Sequence, residues 1–137
     1  MRRYKPDYVS AATYNQRLQQ NSARRALVTA AAFTTTGKLE SPVLRFPKLD
    51  EARFVNLVTN AQRTAAIVEP QLNRLYDILK SGETDRDKET SPRWKAGYDL
   101  AMGRVMAAKV RAEGYNAMLA SAKRGLKFKD PKNNTWI

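Results

Sequence analysis

Four carboxylates alternate along one short stretch, at Glu83, Asp85, Asp87 and Glu89, and a divalent cation in a loop is held by oxygens of this kind. The segment lacks the glycine and the ligand order of a calcium loop. Arg86 and Lys88 also sit between the acids, where their charge would repel a cation. It therefore reads as a solvated, self-neutralising connection. A second constellation is basic. Arg104, Lys109, Arg111, Lys123, Arg124, Lys127, Lys129 and Lys132 could follow a phosphate backbone while Tyr98, Tyr115, Phe128 and Trp136 stack on bases. Tyr98 and Tyr115, however, fall on an apolar seam and are assigned to a core. No known nucleic-acid module is present in the sequence, so the bland reading is a solvated basic face. Arg24, Arg25, Arg104, Lys109, Arg111, Lys123, Arg124, Lys127 and Lys129 are the candidate contacts for a polyanion or a protein partner.

The alphabet of the chain narrows its chemistry. Its 137 residues include no cysteine and no histidine. That excludes thiolate nucleophiles, disulfides, the usual zinc and haem ligands, and the one side chain that titrates near neutrality unaided. Acid–base catalysis would need a perturbed carboxylate, lysine or tyrosine, and no such group stands out. A non-enzymatic role without metal or cofactor is expected.

The net charge is +12, from 25 basic and 13 acidic side chains. Residues 1–50 carry nine basic and three acidic residues, residues 51–100 eight of each, and residues 101–137 eight and two. The excess lies in the outer thirds, where it favours a polyanion, an anionic surface or an acidic protein. No stretch approaches the roughly 20 apolar residues of a membrane-spanning helix.

Two apolar seams dictate the elements that carry these charges. Phe54, Val58, Ala61, Ala65, Val68, Leu72, Leu75 and Leu79 form one; Trp94, Tyr98, Ala101, Val105, Ala108, Ala112, Tyr115, Leu119 and Ala122 form the other. Steps of four and three keep one stripe of a helix facing a partner. A first helix is expected from an N-cap at Ser10 to about Thr35, with Ala11, Tyr14, Leu18, Ser22, Ala26, Thr29 and Phe33 inward. Tyr4, Tyr8 and Tyr14 read as ordinary packing residues. A second helix starts at Asp50, with Leu49 stapled on Phe54, is kinked at Pro70 and stops at Gly82. The third opens with Ser91 and Pro92 and closes at Gly125. Its Met102, Met106 and Val110 make a further apolar strip, so this helix is expected to be covered on two sides. Residues 126–129 and 135–137 alternate like strands around turn chemistry, which suggests a hairpin.

Several stretches carry a family resemblance. They are Glu89-Thr-Ser-Pro-Arg-Trp-Lys-Ala-Gly-Tyr-Asp-Leu-Ala-Met-Gly-Arg104, Lys109-Val-Arg-Ala-Glu-Gly-Tyr-Asn-Ala-Met-Leu119 and Lys127-Phe-Lys-Asp-Pro-Lys-Asn-Asn-Thr-Trp136. With Tyr8-Val-Ser10 and Leu44-Arg-Phe-Pro-Lys-Leu-Asp50, they resemble the helical region C-terminal to the von Willebrand factor type A domain of large bacterial, notably planctomycete, proteins. The resemblance implies an accessory module of a larger protein. The cation-binding Asp-x-Ser-x-Ser motif of the type A domain is absent, so no metal ligand carries over.

The expectation is an all-α fold of three long antiparallel helices over residues 1–125, followed by a hairpin-like tail at 126–137 that reads as truncated. The expected function is a structural or protein-interaction module, and the alternative is a basic bundle that binds nucleic acid. Partners would be a protein or a neighbouring domain, with nucleic acid or an anionic surface in second place.

Overall fold

The computed structural model describes residues 4–36, 40–125, 127, 130 and 132–137, and the fold is all-α. Its elements are α1 (Ala11–Gln20), α2 (Ser22–Thr36), β1 (Phe46–Pro47), α3 (Glu51–Lys80), α4 (Glu83–Arg86), α5 (Pro92–Lys123) and β2 (Thr135–Trp136). They form two compact units, one of Met1–Lys38 with Leu72–Ala108, the other of Leu39–Gln71 with Lys109–Ile137. Each long helix contributes one part to each unit.

The core of the first unit joins Ala23, Ala26 and Ala30 of α2 to Leu75 and Leu79 of α3 and to Tyr98 and Val105 of α5. Leu72 is buried too. The expected single first helix is two. Ser10 caps α1 as anticipated, accepting from the Thr13 amide at 3.2 Å. At Asn21 the backbone turns extended (φ −137°, ψ 113°). The Asn21 side chain then accepts the Arg24 amide at 3.0 Å, and Asp85 accepts the Ser22 amide at 2.9 Å. Two of the free amides that open α2 thus find acceptors, one local and one 63 residues away. The break also resets the register: Ala23, Ala26 and Ala30 face inward, Thr29 is exposed, and α1 buries no residue.

Gly82 follows α3 for a reason other than a left-handed turn, since its φ is −94°. A β-carbon there would lie 2.7 Å from Ala23 Cα and 2.8 Å from the Ser22 carbonyl oxygen. Only glycine lets this turn lie on the start of α2.

The second unit is an antiparallel helix pair with a cap of extended chain. Lys123 Nζ reaches Gln62 Oε1 at 3.4 Å and Asn116 Nδ2 donates to Glu69 Oε2 at 2.6 Å. Seven residues onward in α3 therefore match seven residues back in α5. Phe54, Val58 and Ala61 meet Leu119 and Ala122, with Phe46 of β1 added from the link. Asp50 caps α3, accepting the Arg53 amide at 2.8 Å. Leu49 does not form the expected staple: it is 70 % exposed, and the Lys48 ammonium lies over the Phe54 ring at 5.4 Å.

α3 runs as one helix through Pro70. Pro70 and Ala66 are both exposed, so the carbonyl left without an amide donor lies where water reaches it. α5 ends at Lys123, and Gly125 closes it with φ 99°. Leu126, Phe128 and Lys129 of the expected first hairpin arm lie outside the described residues. β2 finds its partner elsewhere, pairing antiparallel with β1 as Phe46↔Trp136 and Pro47↔Thr135. The Lys48 amide extends the ladder to the Asn134 carbonyl at 2.6 Å. Among the described residues, no helix is long and apolar enough to cross a membrane.

Candidate functional site

The acidic connection at residues 82–90 is anchored at Asp85 and Glu89, while Glu83, Asp87 and Lys88 are exposed as a solvated connection requires. Glu89 is buried, and its Oε1 accepts from Arg24 Nη2 and from the Ser91 amide, each at 2.7 Å. Arg24 Nε donates to the other carboxylate oxygen, and the guanidinium lies 5.2 Å from the centre of the Trp94 ring. Trp94 in turn packs on Tyr14 at 6.1 Å. Burial opposes ionisation of Glu89, yet the Arg24 guanidinium and the Ser91 and Thr90 amides outweigh it and hold the carboxyl below its ordinary pKa. Glu89 reciprocally raises the pKa of Arg24. A paired and desolvated fork of this kind fastens α2 to the start of α5.

The neighbouring acids are engaged as well. Asp85 takes Lys88 at 2.8 Å and the Ser22 amide, which hold its pKa low. Arg86 forks onto both oxygens of Asp99, at 2.9 and 2.7 Å, and reaches Asp87 at 2.7 Å. The charges do neutralise one another, as the sequence suggests. The role missed in the sequence is that of Glu89. Its one signal is its place two residues before the Ser91-Pro92 helix start, where a carboxylate can accept free first-turn amides.

A cleft of about 180 Å³ beside this fork is lined by Lys5, Asp7, Tyr14, Arg17, Arg93 and Trp94, among others. Its arginines are largely spoken for. Arg17 pairs with Asp7, and Arg93 reaches the Tyr4 carbonyl.

The sequence-derived basic contacts separate by unit and by engagement. In the first unit Arg24 is withdrawn into the fork, and Arg25 and Arg104 are exposed. In the second, Arg111 and Lys127 are exposed, Lys109 is half-buried, Lys123 holds Gln62, and Arg124 Nη2 donates to Ser121 Oγ at 3.1 Å. Lys129 lies outside the described residues. Two of the four aromatic rings offered for base stacking are engaged, and Phe128 lies outside the described residues. Tyr98 is buried with its hydroxyl donating to the Leu79 carbonyl at 2.6 Å, and Tyr115 donates to the Val43 carbonyl at 2.7 Å. Burial raises the pKa of both phenols. Tyr4 and Tyr8, expected to pack, are exposed instead.

Among the exposed apolar residues described, those on the outer side of α5 recur at helical spacing. In the first unit Leu100 is 57 % exposed, in register with Ala96, Gly103 and Ala107, and Met106, 51 % exposed, borders them. In the second unit Val110 is 68 % exposed, in register with Gly114 and Ala117. The steps are again four and three, and at about 100° per residue this stripe lies across the helix from the buried seam. A β-carbon at Gly103 or Gly114 would meet nothing within 4 Å. Of the Met102, Met106 and Val110 strip expected to be covered, Met102 packs against the first core, whereas Met106 and Val110 are exposed. Comparison with known proteins finds no matching family model, no matching curated protein and no matching solved structure.

Proposed function

We propose that this chain is a non-enzymatic helical interaction module, accessory to a von Willebrand factor type A domain in a larger protein. The observation that supports it is the exposed apolar register on α5, since contiguous apolar surface on a water-soluble helix marks a place where another chain sits. The family part of the reading rests on the resemblance of the residues quoted above. It is tested by a photo-crosslinking amino acid at position 100, introduced into the protein in the cells that make it. An adduct with another protein, or with a type A domain of the same polypeptide, is the expected product. A nucleic-acid adduct at that position refutes the reading.

The alternative, a basic bundle that binds nucleic acid, draws on the exposed Arg25, Arg104 and Arg111. It requires retention of labelled RNA or DNA near physiological salt, with affinity falling steeply as salt rises. The hydroxyls of Tyr98 and Tyr115 are bonded to backbone carbonyls, which counts against these two rings as stacking partners.

A further inference from the structure

Among the described residues, little holds residues 4–20 to the rest of the first unit. α1 buries no residue, and residues 4–10 before it are all exposed. Leu18 is half-buried, and two specific contacts reach across. The Tyr14 ring lies 6.1 Å from that of Trp94, and Arg93 Nη1 donates to the Tyr4 carbonyl at 3.4 Å. Arg17 pairs with Asp7 inside the segment itself, and Asp7 adds a longer-range attraction to Arg24.

The break at Asn21 is not written into the local sequence. Residues 11–36 contain no proline and no glycine. In one continuous helix the Ser22 amide would bond the Leu18 carbonyl and the Arg24 amide the Gln20 carbonyl. Both amides are taken by side chains instead, that of Ser22 by Asp85 Oδ2 at 2.9 Å and that of Arg24 by Asn21 Oδ1 at 3.0 Å. Asn21 Nδ2 also reaches the Asp85 carbonyl at 3.4 Å. The Asp85 carboxylate thus stands where the preceding helical turn would run. All of these residues belong to the first unit.

We infer that residues 4–20 are a detachable arm, hinged at Asn21 and latched by Asp85. When Asp85 withdraws, Asn21 turns helical, α1 and α2 run on as one helix, and Tyr14 leaves Trp94. The carboxylate has a second partner to rest on, since Lys88 already reaches it at 2.8 Å. Closed and open forms differ by few interactions: two capped amides and a ring contact in one, two helix bonds in the other. Ten residues are too few to stay helical alone, and joining α2 gives α1 a nucleus already formed. Opening takes the Tyr14 wall away from the groove that Leu27, Arg93, Trp94 and Gly97 also line.

The chain has no cysteine, so two introduced ones carry spin labels without competition. Gln16 on α1 and Ala96 on α5 are exposed. Pulsed dipolar EPR on the chain with Gln16→Cys and Ala96→Cys should give one short distance as the main population. Asp85→Ala removes the latch, and Asn21→Ala removes the local cap and favours helix. Each should move population to a distance longer by on the order of 10 Å, given the rise of a helix the length of α1. Circular dichroism should show no loss of helix. In the unmodified chain, α1 amides should exchange hydrogen ~100-fold faster than those of Ala26 and Ala30, with little sensitivity to denaturant. An unchanged distance in both variants overturns the inference, as does α1 exchange that occurs only together with α2. Loss of about ten residues of helix in either variant overturns it too, because the arm then melts instead of straightening. Exchange is read on the unmodified chain, so it decides the outcome even if a variant fails to fold.

Discussion

Replacing Glu89 by glutamine keeps the shape of the fork between α2 and α5 and removes its charge. In the native fork one carboxylate receives two bonds from Arg24 and one from the Ser91 amide. Glutamine keeps one acceptor oxygen and turns a donor toward the Arg24 guanidinium, which stays largely buried with a side chain only 13 % exposed. Hydrogen bonds to charged groups contribute about 1.5–3 kcal/mol each, and breaking a buried pair one-sidedly costs about 3–5 kcal/mol. Arg24 retains the Trp94 ring and some water, so a loss of about 2–3 kcal/mol at pH 7 is expected, lowering Tm by roughly 6–10 °C in a chain of this size. The sign of the pH dependence follows from the direction of the shift. The folded-state pKa of Glu89 lies below its ordinary 4.5, so its contribution is complete above that value. It is lost as pH falls through the lower, folded value. Urea melts followed by circular dichroism should therefore show wild type and E89Q converging as pH drops below 4.5, and Arg24→Met should largely relieve the defect of E89Q in the double variant. A gap that is the same at pH 7 and pH 3, or additive losses in the double variant, would refute the argument.

Three further outcomes follow from the packing. Gly82→Ala should cost about 1–3 kcal/mol in denaturant melts, because the added methyl meets Ala23 Cα and the Ser22 carbonyl, which are backbone atoms with little room to move. Leu119→Ala, in the second core and fully buried, should cost about 3–4 kcal/mol, whereas Leu100→Ala on the outer side of α5 should stay within about 0.5 kcal/mol. Pro70→Ala should raise stability by about 1–2 kcal/mol, since it returns the amide that the helix ladder lacks against a smaller gain in unfolded-chain freedom. An unchanged or lower Tm for that variant would mean that α3 depends on its proline.

The seams were legible because they are long. Every seam position from Phe54 to Leu79 and from Trp94 to Ala122 is buried or half-buried, and a period sustained over eight or nine such positions leaves little room for another fold. What escaped the sequence depends on partners distant along the chain. Asn21 looks helical among its neighbours, and the break there rests partly on Asp85, 64 residues on. Once the break is made, the inward face of α2 shifts with it. The last strand alternates as a strand should, but its partner is Phe46–Pro47 in the link, which no local pattern announces. Glu89 hid within a run of like residues, because composition shows charge balance and not which acid is buried. The outer stripe of α5 could be read as apolar. Its lack of a cover became visible only once the helices had been placed.

The order in which the polypeptide is made bears on the helix pair of the second unit. All residues of the first unit have been synthesised by Ala108, whereas the second uses residues on to Ile137. At about 5–20 residues per second, the ribosome needs some seconds more to deliver the rest. Throughout that interval Phe54, Val58 and Ala61 have been made without Leu119 and Ala122, the residues they eventually bury. A nascent chain stalled near position 110 should therefore display the first half of α3 as a sticky, chaperone-accessible stripe, and release from the stall should silence it.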